Sequence, residues 1–283
     1  MRRLLTLPLA IAALALTGCA APAAELPATI TASVFQNRFD YSLRQLEIKV
    51  ANGTDATITV TRAAFESTRF TEPAVWDRPQ DIPAGSARDL KVQLPDPVCD
   101  GADPVDSVTL EVTLGDGTRG SVTVVPSDEQ GRVDTINAED CLGVSVAEVA
   151  TITPPAALEW TPGAHAPAGL DLAVRPTGGE GTVTVHDAKG TVLLGLADET
   201  GAAITIQPVD LVVDASTAES VIPLSLVPNR CDPHAVEEDK RGTFFPLDVE
   251  TGDGRSGTVY IAVSDEVRRS LYEFYADYCG LPG

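Results

Sequence analysis

The chain contains one unit written twice, and nothing else in it limits the possible folds so tightly. Residues 93–143 read QLPDPVCDG, then SVTLEVTLGDGTRGSVTVVPSDEQGRV, then AEDCLG. Residues 225–281 read SLVPNRCDP, then FFPLDVETGDGRSGTVYIAVSDEVRRS, then ADYCGL. Cys-Asp, a strand, a Gly-Asp-Gly turn, a second strand, Ser-Asp-Glu, a short helix and a second cysteine recur in one order. A period of this kind means two copies of one folding unit. The upstream halves agree more loosely, Leu46 to Val60 with Leu170 to Val185 and Ile82 to Leu94 with Val213 to Leu226. The boundary is placed at Thr151 to Ala157, around Pro154-Pro155, which gives domains over 31–150 and 151–283. Each is long enough to bury a core of its own.

Apolar and polar residues alternate within each copy. Leu46, Ile48 and Val50 alternate, as do Val108, Leu110 and Val112, and in the second copy Leu170, Leu172 and Val174, then Val259, Ile261 and Val263. That period of two is the strand signal. Asn52-Gly53, Gly115-Asp116-Gly117, Gly178-Gly179 and Gly252-Asp253-Gly254 punctuate the strands, and Asp-Gly between alternating runs marks a hairpin because the tight turn needs positive φ. The expected fold is all-β, two tandem duplicated antiparallel β-sandwiches with one short C-terminal helix per domain. The NGTDATITV run followed by IPAGSARDLKV resembles bacterial immunoglobulin-like domains, a resemblance of architecture that brings no activity with it. Ser264 is the expected cap of the second helix, whose apolar face is Val267, Leu271, Phe274, Tyr275 and Tyr278. The first helix reads as weaker: Ser127 and Gln130 have capping-box spacing, but Val133 and Ile136 are its large apolar residues and Gly131 interrupts it.

The first residues carry an address. Arg2 and Arg3 precede an uncharged apolar run, Leu4 to Leu16, which ends in Leu16-Thr17-Gly18-Cys19. A basic stretch, a short apolar run and small residues before a cleavage point are the parts of a secretory signal. The run is shorter than the roughly 20 apolar residues a transmembrane helix needs. The four-residue box resembles that of bacterial lipoprotein precursors. The resemblance implies a signal peptide over 1–18 and a lipidated Cys19 carrying a diacylglycerol with acyl chains of the palmitate type. Residues 19–30 would then form the lipidated N-terminus and its tether, on a protein outside the cytoplasm held to the cell membrane. An exported chain meets oxidising conditions. With Cys19 set aside, four of the five cysteines remain; of three possible pairings, spacing and duplication select Cys99–Cys141 and Cys231–Cys279.

The formal charge is −21, and loss of Arg2 and Arg3 with the signal takes it to −23. The lysines are only Lys49, Lys91, Lys189 and Lys240. Nucleic acid and anionic lipid surfaces, which need cationic patches, are poor partners for such a chain.

Candidate chemistry is sparse. His165, His186 and His234 stand in no paired metal spacing, and no serine elbow, Walker loop or dinucleotide fingerprint occurs. The acidic stretch after Cys231 places Asp232, His234 and Glu237 where they could offer ligands to a divalent ion, against the plainer reading of a solvated loop. Phe65, Phe70 and Trp76 border an irregular link between strands, either as a binding face or as plugs of the sandwich end. Tyr272 falls off the apolar face of its helix, and Trp160 is placed at the seam between the domains. The expectation is a membrane-anchored surface lipoprotein without catalysis or cofactor. It would bind or scaffold an envelope protein or glycan; an exported cation-binding protein and an envelope hydrolase are the alternatives.

Overall fold

The computed structural model describes residues 27–101, 103–239 and 244–281; Cys19 and the signal lie outside them. In the first copy the strands are β1 (Ile30–Phe35), β2 (Gln45–Asn52), β3 (Ile58–Ser67), β4 (Ala74–Trp76), β5 (Gln80–Ile82), β6 (Ala87–Gln93), β7 (Asp106–Thr113) and β8 (Arg119–Val124), followed by helix α1 (Arg132–Val149). The second copy runs β9 (Ala150–Thr153), β10 (Ala168–Pro176), β11 (Val183–Lys189), β12 (Leu194–Ala197), β13 (Ala203–Ile204), β14 (Ile206–Val213) and β15 (Ser220–Pro228). It then continues through α2 (Pro233–Glu238), β16 (Phe244–Thr251), β17 (Ser256–Ala262) and α3 (Asp265–Cys279).

Each copy is an antiparallel sandwich. In the first, β1-β2-β6 faces β4-β3-β7-β8; in the second, β13-β12-β15-β10-β9 faces β14-β11-β16-β17. In immunoglobulin lettering both copies set A-B-E against C′-C-F-G, so the expected sandwich class holds by strand order alone. Alternation does what the sequence requires of it: Leu46, Ile48 and Val50 on β2, with Leu110 on β7, are fully buried, as are Leu170, Leu172 and Val174 on β10. Two cores result. One gathers Phe65 and Phe70 with the first copy's strands; the other gathers Phe245, Phe274 and Tyr275 with the second's. Both expected disulfides are present, Cys99–Cys141 and Cys231–Cys279. Each closes a loop whose chain-entropy contribution is about 4 kcal/mol.

α1 departs from expectation. It is an 18-residue helix that leads directly into β9. Gly131 does not weaken it, because that residue sits at the N-cap in the left-handed region, φ 60°. The first-turn N–H groups of Arg132 and Val133 are satisfied by the Asp128 carboxylate at 2.9 and 2.8 Å, in place of the expected Ser127. The N-terminal half buries Val133 and Ile136 in the first core, while Leu142, Val146 and Val149 enter the second. At 100° per residue these two groups lie on roughly opposite faces. A single helix therefore serves both domains, and Thr151 to Thr153 belong to a sheet of the second.

Further contacts fix the two copies around this helix. Arg69, its side chain 11% exposed, ties the first half of α1 to β7, pairing with Asp134 of the helix and with Asp106 of the strand at 2.9 Å. Beyond Cys141, Ser145 Oγ donates to Asp253 Oδ2 at 2.9 Å, and Arg255 Nη2 donates to the Cys99 carbonyl at 3.1 Å. Asp253, in the second Gly-Asp-Gly turn, also accepts from Thr251 and from Arg255 Nε at 3.0 Å.

Candidate functional site

A cleft of about 590 Å³ opens between the copies, bounded by α1, β9, β17 and the first-copy loop over 36–44. α1 supplies the floor with the stripe Ile136, Glu139, Asp140, Gly143, Val146 and Ala147. These positions recur at three- and four-residue steps, so they share one face, lying between the two faces that α1 buries. The small Gly143 and Ala147 make room: a Cβ placed on Gly143 meets no heavy atom within 4 Å.

The first-copy wall is held by charged groups. Asp40 is fully buried and receives Lys91 Nζ at 2.7 Å, while its other oxygen accepts the Asn37 N–H at 2.7 Å. Lys91 also reaches Glu47, itself 5% exposed, at 3.4 Å. The hydrogen bond to Asp40 raises the Lys91 ammonium above its usual pKa of 10.5, against the opposing effect of desolvation. Arg44 stands at the end of this loop in the left-handed region, φ 49°. Its guanidinium forks onto Asp140 of α1, at 3.0 and 2.7 Å, and donates to the Pro95 carbonyl at 2.8 Å. Arg132 lies over the Tyr41 ring, 4.5 Å from its centroid, and donates to Gln36 Oε1 at 2.6 Å.

The second-copy walls are strand edges. Ala150 to Thr153 and Thr258 to Ile261 line the cleft as unbroken runs. Val146, Ile152, Val259, Ile261 and Phe244 give it a largely apolar interior. Its charges nearly cancel: Asp140 is neutralised by Arg44, leaving Glu139 exposed at the rim. The lining includes no histidine or cysteine, and its one serine, Ser42, has no imidazole beside it. Such a surface can hold a ligand by apolar contact and backbone hydrogen bonds.

The residues singled out by sequence lie elsewhere. Phe65 and Phe70 are buried to 1% and 6% exposure and meet edge to face, so they plug the first sandwich and present no binding face. Trp76 is half-buried at the sheet edge, under the Arg78 guanidinium at 4.0 Å. Tyr272 is also half-buried; its hydroxyl donates to Asp239 at 3.2 Å, and burial, with the Asp239 charge, raises its pKa above 10. Trp160 is not at the interdomain seam: it packs on Phe274 of α3 and donates to Ser270 at 3.1 Å. Asp232 is the N-cap of α2, accepting the His234 N–H at 2.9 Å, a structural use of that carboxylate. The Glu237 side chain is outside the described residues, and among the described residues no three acidic, histidine or cysteine side chains gather as a metal site would require. His165 contacts the Tyr278 carbonyl at 3.1 Å, and His186 faces Glu250 at 3.4 Å on the solvent face of the sheet, between β11 and β16. The cleft residues escaped notice, and one signal did point to them: after the second cysteine the first copy reads Leu142-Gly143 and the second reads Gly280-Leu281.

No family model matches the chain, and no curated protein matches it. Among solved structures it is similar to a red sea bream transglutaminase at 12% identity and a TM-score of 0.22, over 85% of this chain and 32% of that one. The chain thus spans about a third of that enzyme's length. It is also similar to a biofilm associated protein B domain, at 8% identity and a TM-score of 0.24, over 84% of this chain and 86% of that one. A third likeness is to a chaperone–tip adhesion subunit pre-assembly complex from archaic Csu pili of Acinetobacter baumannii, at 11% identity and a TM-score of 0.18, over 77% and 91%. At such scores the functional reading rests on the chain's own geometry.

Proposed function

We propose that the protein is a non-catalytic binding module of the cell envelope, lipid-anchored through Cys19, which takes its ligand in the cleft between α1, β9 and β17. The observation that carries the reading is the cleft itself: a largely apolar hollow of about 590 Å³ set between two sandwiches that share helix α1. Pockets of that size and lining are where proteins hold ligands. The anchor is supported by the Leu16-Thr17-Gly18-Cys19 box, and the export it implies suits the two disulfides. Two acyl chains supply the double hydrophobic signal that stable attachment requires.

Two measurements test it. Mass spectrometry of the native protein is expected to find a diacylglyceryl group on Cys19, and Cys19→Ala to release the protein from membranes; an unmodified Cys19 refutes the anchor. A photoreactive amino acid in place of Ala147, activated in cells, is expected to give a discrete adduct that an equivalent group at exposed Val125 does not. The same background from both positions refutes the cleft as binding site.

A further inference from the structure

We infer that the cleft is a strand acceptor: an extended segment of a partner polypeptide, apolar at alternate positions and flanked by lysine or arginine, pairs with the outer edge of β17. The inference rests on the cleft being the binding site and names the class of ligand it takes.

Side-chain alternation gives the first reason. Successive residues of a strand point to opposite faces. Phe245, Leu247 and Val249 of β16 face the core, and their partners Ile261, Val259 and Gly257 share that face, whereas Thr258 and Tyr260 lie on the other. A cavity beside one face of β17 would touch every second residue. This one touches Thr258, Val259, Tyr260 and Ile261 in a row, so it runs along the backbone edge. The same holds for Ala150 to Thr153 of β9. Among the described residues β17 pairs only with β16, and β9 only with β10. Four residues of strand span about 13 Å.

The first copy shows what belongs in such a seam. There the segment after β8 lies against β1: Ser127 bridges Ser33 in parallel, Val34 N–H donates to the Ser127 carbonyl at 2.9 Å, and Ser127 N–H donates to the Ala32 carbonyl at 3.2 Å. The seam is closed by extended polypeptide. In the second copy the residue aligned with Ser127 is Ser264, and its side chain caps α3 instead, accepting the Val267 N–H at 3.2 Å. The aligned partner strand has lost the donor as well. Ile30 pairs with Asn52 as Ala150 pairs with Pro176, which puts Pro154 where Val34 stands. Proline has no N–H to give. The second seam cannot close on itself as the first does, and α1 holds its floor open with Gly143 and Ala147.

Strand addition to an exposed edge draws affinity from main-chain hydrogen bonds and specificity from alternate side-chain pockets. Val259, Ile261 and Ile152 are half-buried and offer such apolar contacts. Exposed Glu139 at the rim, on a chain of net charge −21, favours basic flanking residues.

The test uses the detergent-solubilised, lipidated protein and a fluorescein-labelled peptide of alternating valine and threonine flanked by lysines, read by anisotropy. Two isomers carry backbone N-methyl groups on alternate residues, one set on each edge. Binding of the parent peptide is expected to weaken at least tenfold in one isomer and not in the other, and at least tenfold when glutamates replace the lysines. Gly143→Phe fills the cleft from a helical position where glycine is a poor helix former; it is expected to abolish binding while the melting temperature is kept. No binding, equal affinity of both isomers, or indifference to Gly143→Phe each overturns the strand acceptor. If the peptide fails but the photoreactive group at Ala147 captures a glycan or lipid, the strand acceptor falls and the binding module stands. If that group captures nothing specific, both fall.

Discussion

Leu142 and Gly280 occupy the same place in the two copies, one residue past the helical cysteine, and send the chain in opposite directions. Gly280 takes the left-handed conformation, φ 62°, and ends α3, its N–H returning to the Ala276 and Asp277 carbonyls. Leucine resists that conformation, so α1 continues through Leu142 and buries it in the second core at 3% exposure. Exchanging the pair, Leu142→Gly with Gly143→Leu, is expected to break the helix at Cys141. It removes a core leucine, a loss of about 3 kcal/mol, and splits thermal unfolding from one calorimetric transition into two. A single transition of unchanged midpoint would contradict the shared-helix account.

Arg44 offers a finer test. Arg44→Ala removes the fork onto Asp140 and leaves a non-glycine residue at positive φ, which should cost about 1–2 kcal/mol in urea unfolding. Arg44→Gly loses the same pair but relieves the backbone, so it is expected to be the more stable of the two by about 1 kcal/mol. The reverse order would show that the left-handed turn matters little.

Lys91 compensates two buried acids. Lys91→Met strands Asp40 and Glu47 and is expected to destabilise by about 2 kcal/mol, at the low end for broken pairs because the ammonium side faces solvent. The folded pKa is raised, so this contribution is complete below the unfolded value near 10.5 and is lost as pH climbs through the higher folded value. Wild type and variant should therefore converge in stability only in strong alkali, as thermal melts across pH 8–12 would read.

Asp253 has the opposite sign. The Thr251 hydroxyl, with Ser145 and Arg255, lowers its pKa from 3.8 to about 2. A depressed carboxylate stabilises above its unfolded pKa, and that contribution disappears as pH falls from about 4 toward 2. Asp253→Asn is expected to flatten the acid limb of the stability curve over that window, with its full cost at neutral pH and convergence with wild type toward pH 2. Carboxyl NMR titration gives the pKa directly, and a value near 4 would remove the basis for this prediction.

Local patterns exposed most of the fold to sequence reading. Alternating residues such as Leu46, Ile48 and Val50 mark strands because a half-buried strand must alternate, and duplication chose the disulfides because each copy repeats its own pair. The length of α1 escaped because a helix that buries Val133 and Ile136 in one core and Leu142 and Val146 in another has no single apolar stripe. The cleft escaped because it depends on register. Only pairing with β2 and β10 reveals that Pro154 stands in for Val34, and the loosely matched upstream halves conceal that correspondence. Phe65 and Phe70 flanked an irregular link, and only the packed structure distinguishes a plug from a face.

Covalent connectivity gives the disulfides a mechanical meaning. If the chain is stretched between its ends, tension entering at Cys99 crosses to Cys141 through sulfur, and the chain between them, a sequence separation of 42, stays slack, as does the stretch between Cys231 and Cys279, a separation of 48. About 300 Å of contour is thereby withheld from extension. The first half of α1 is shielded, while Leu142 to Val149, the half that floors much of the cleft, lies on the line of force.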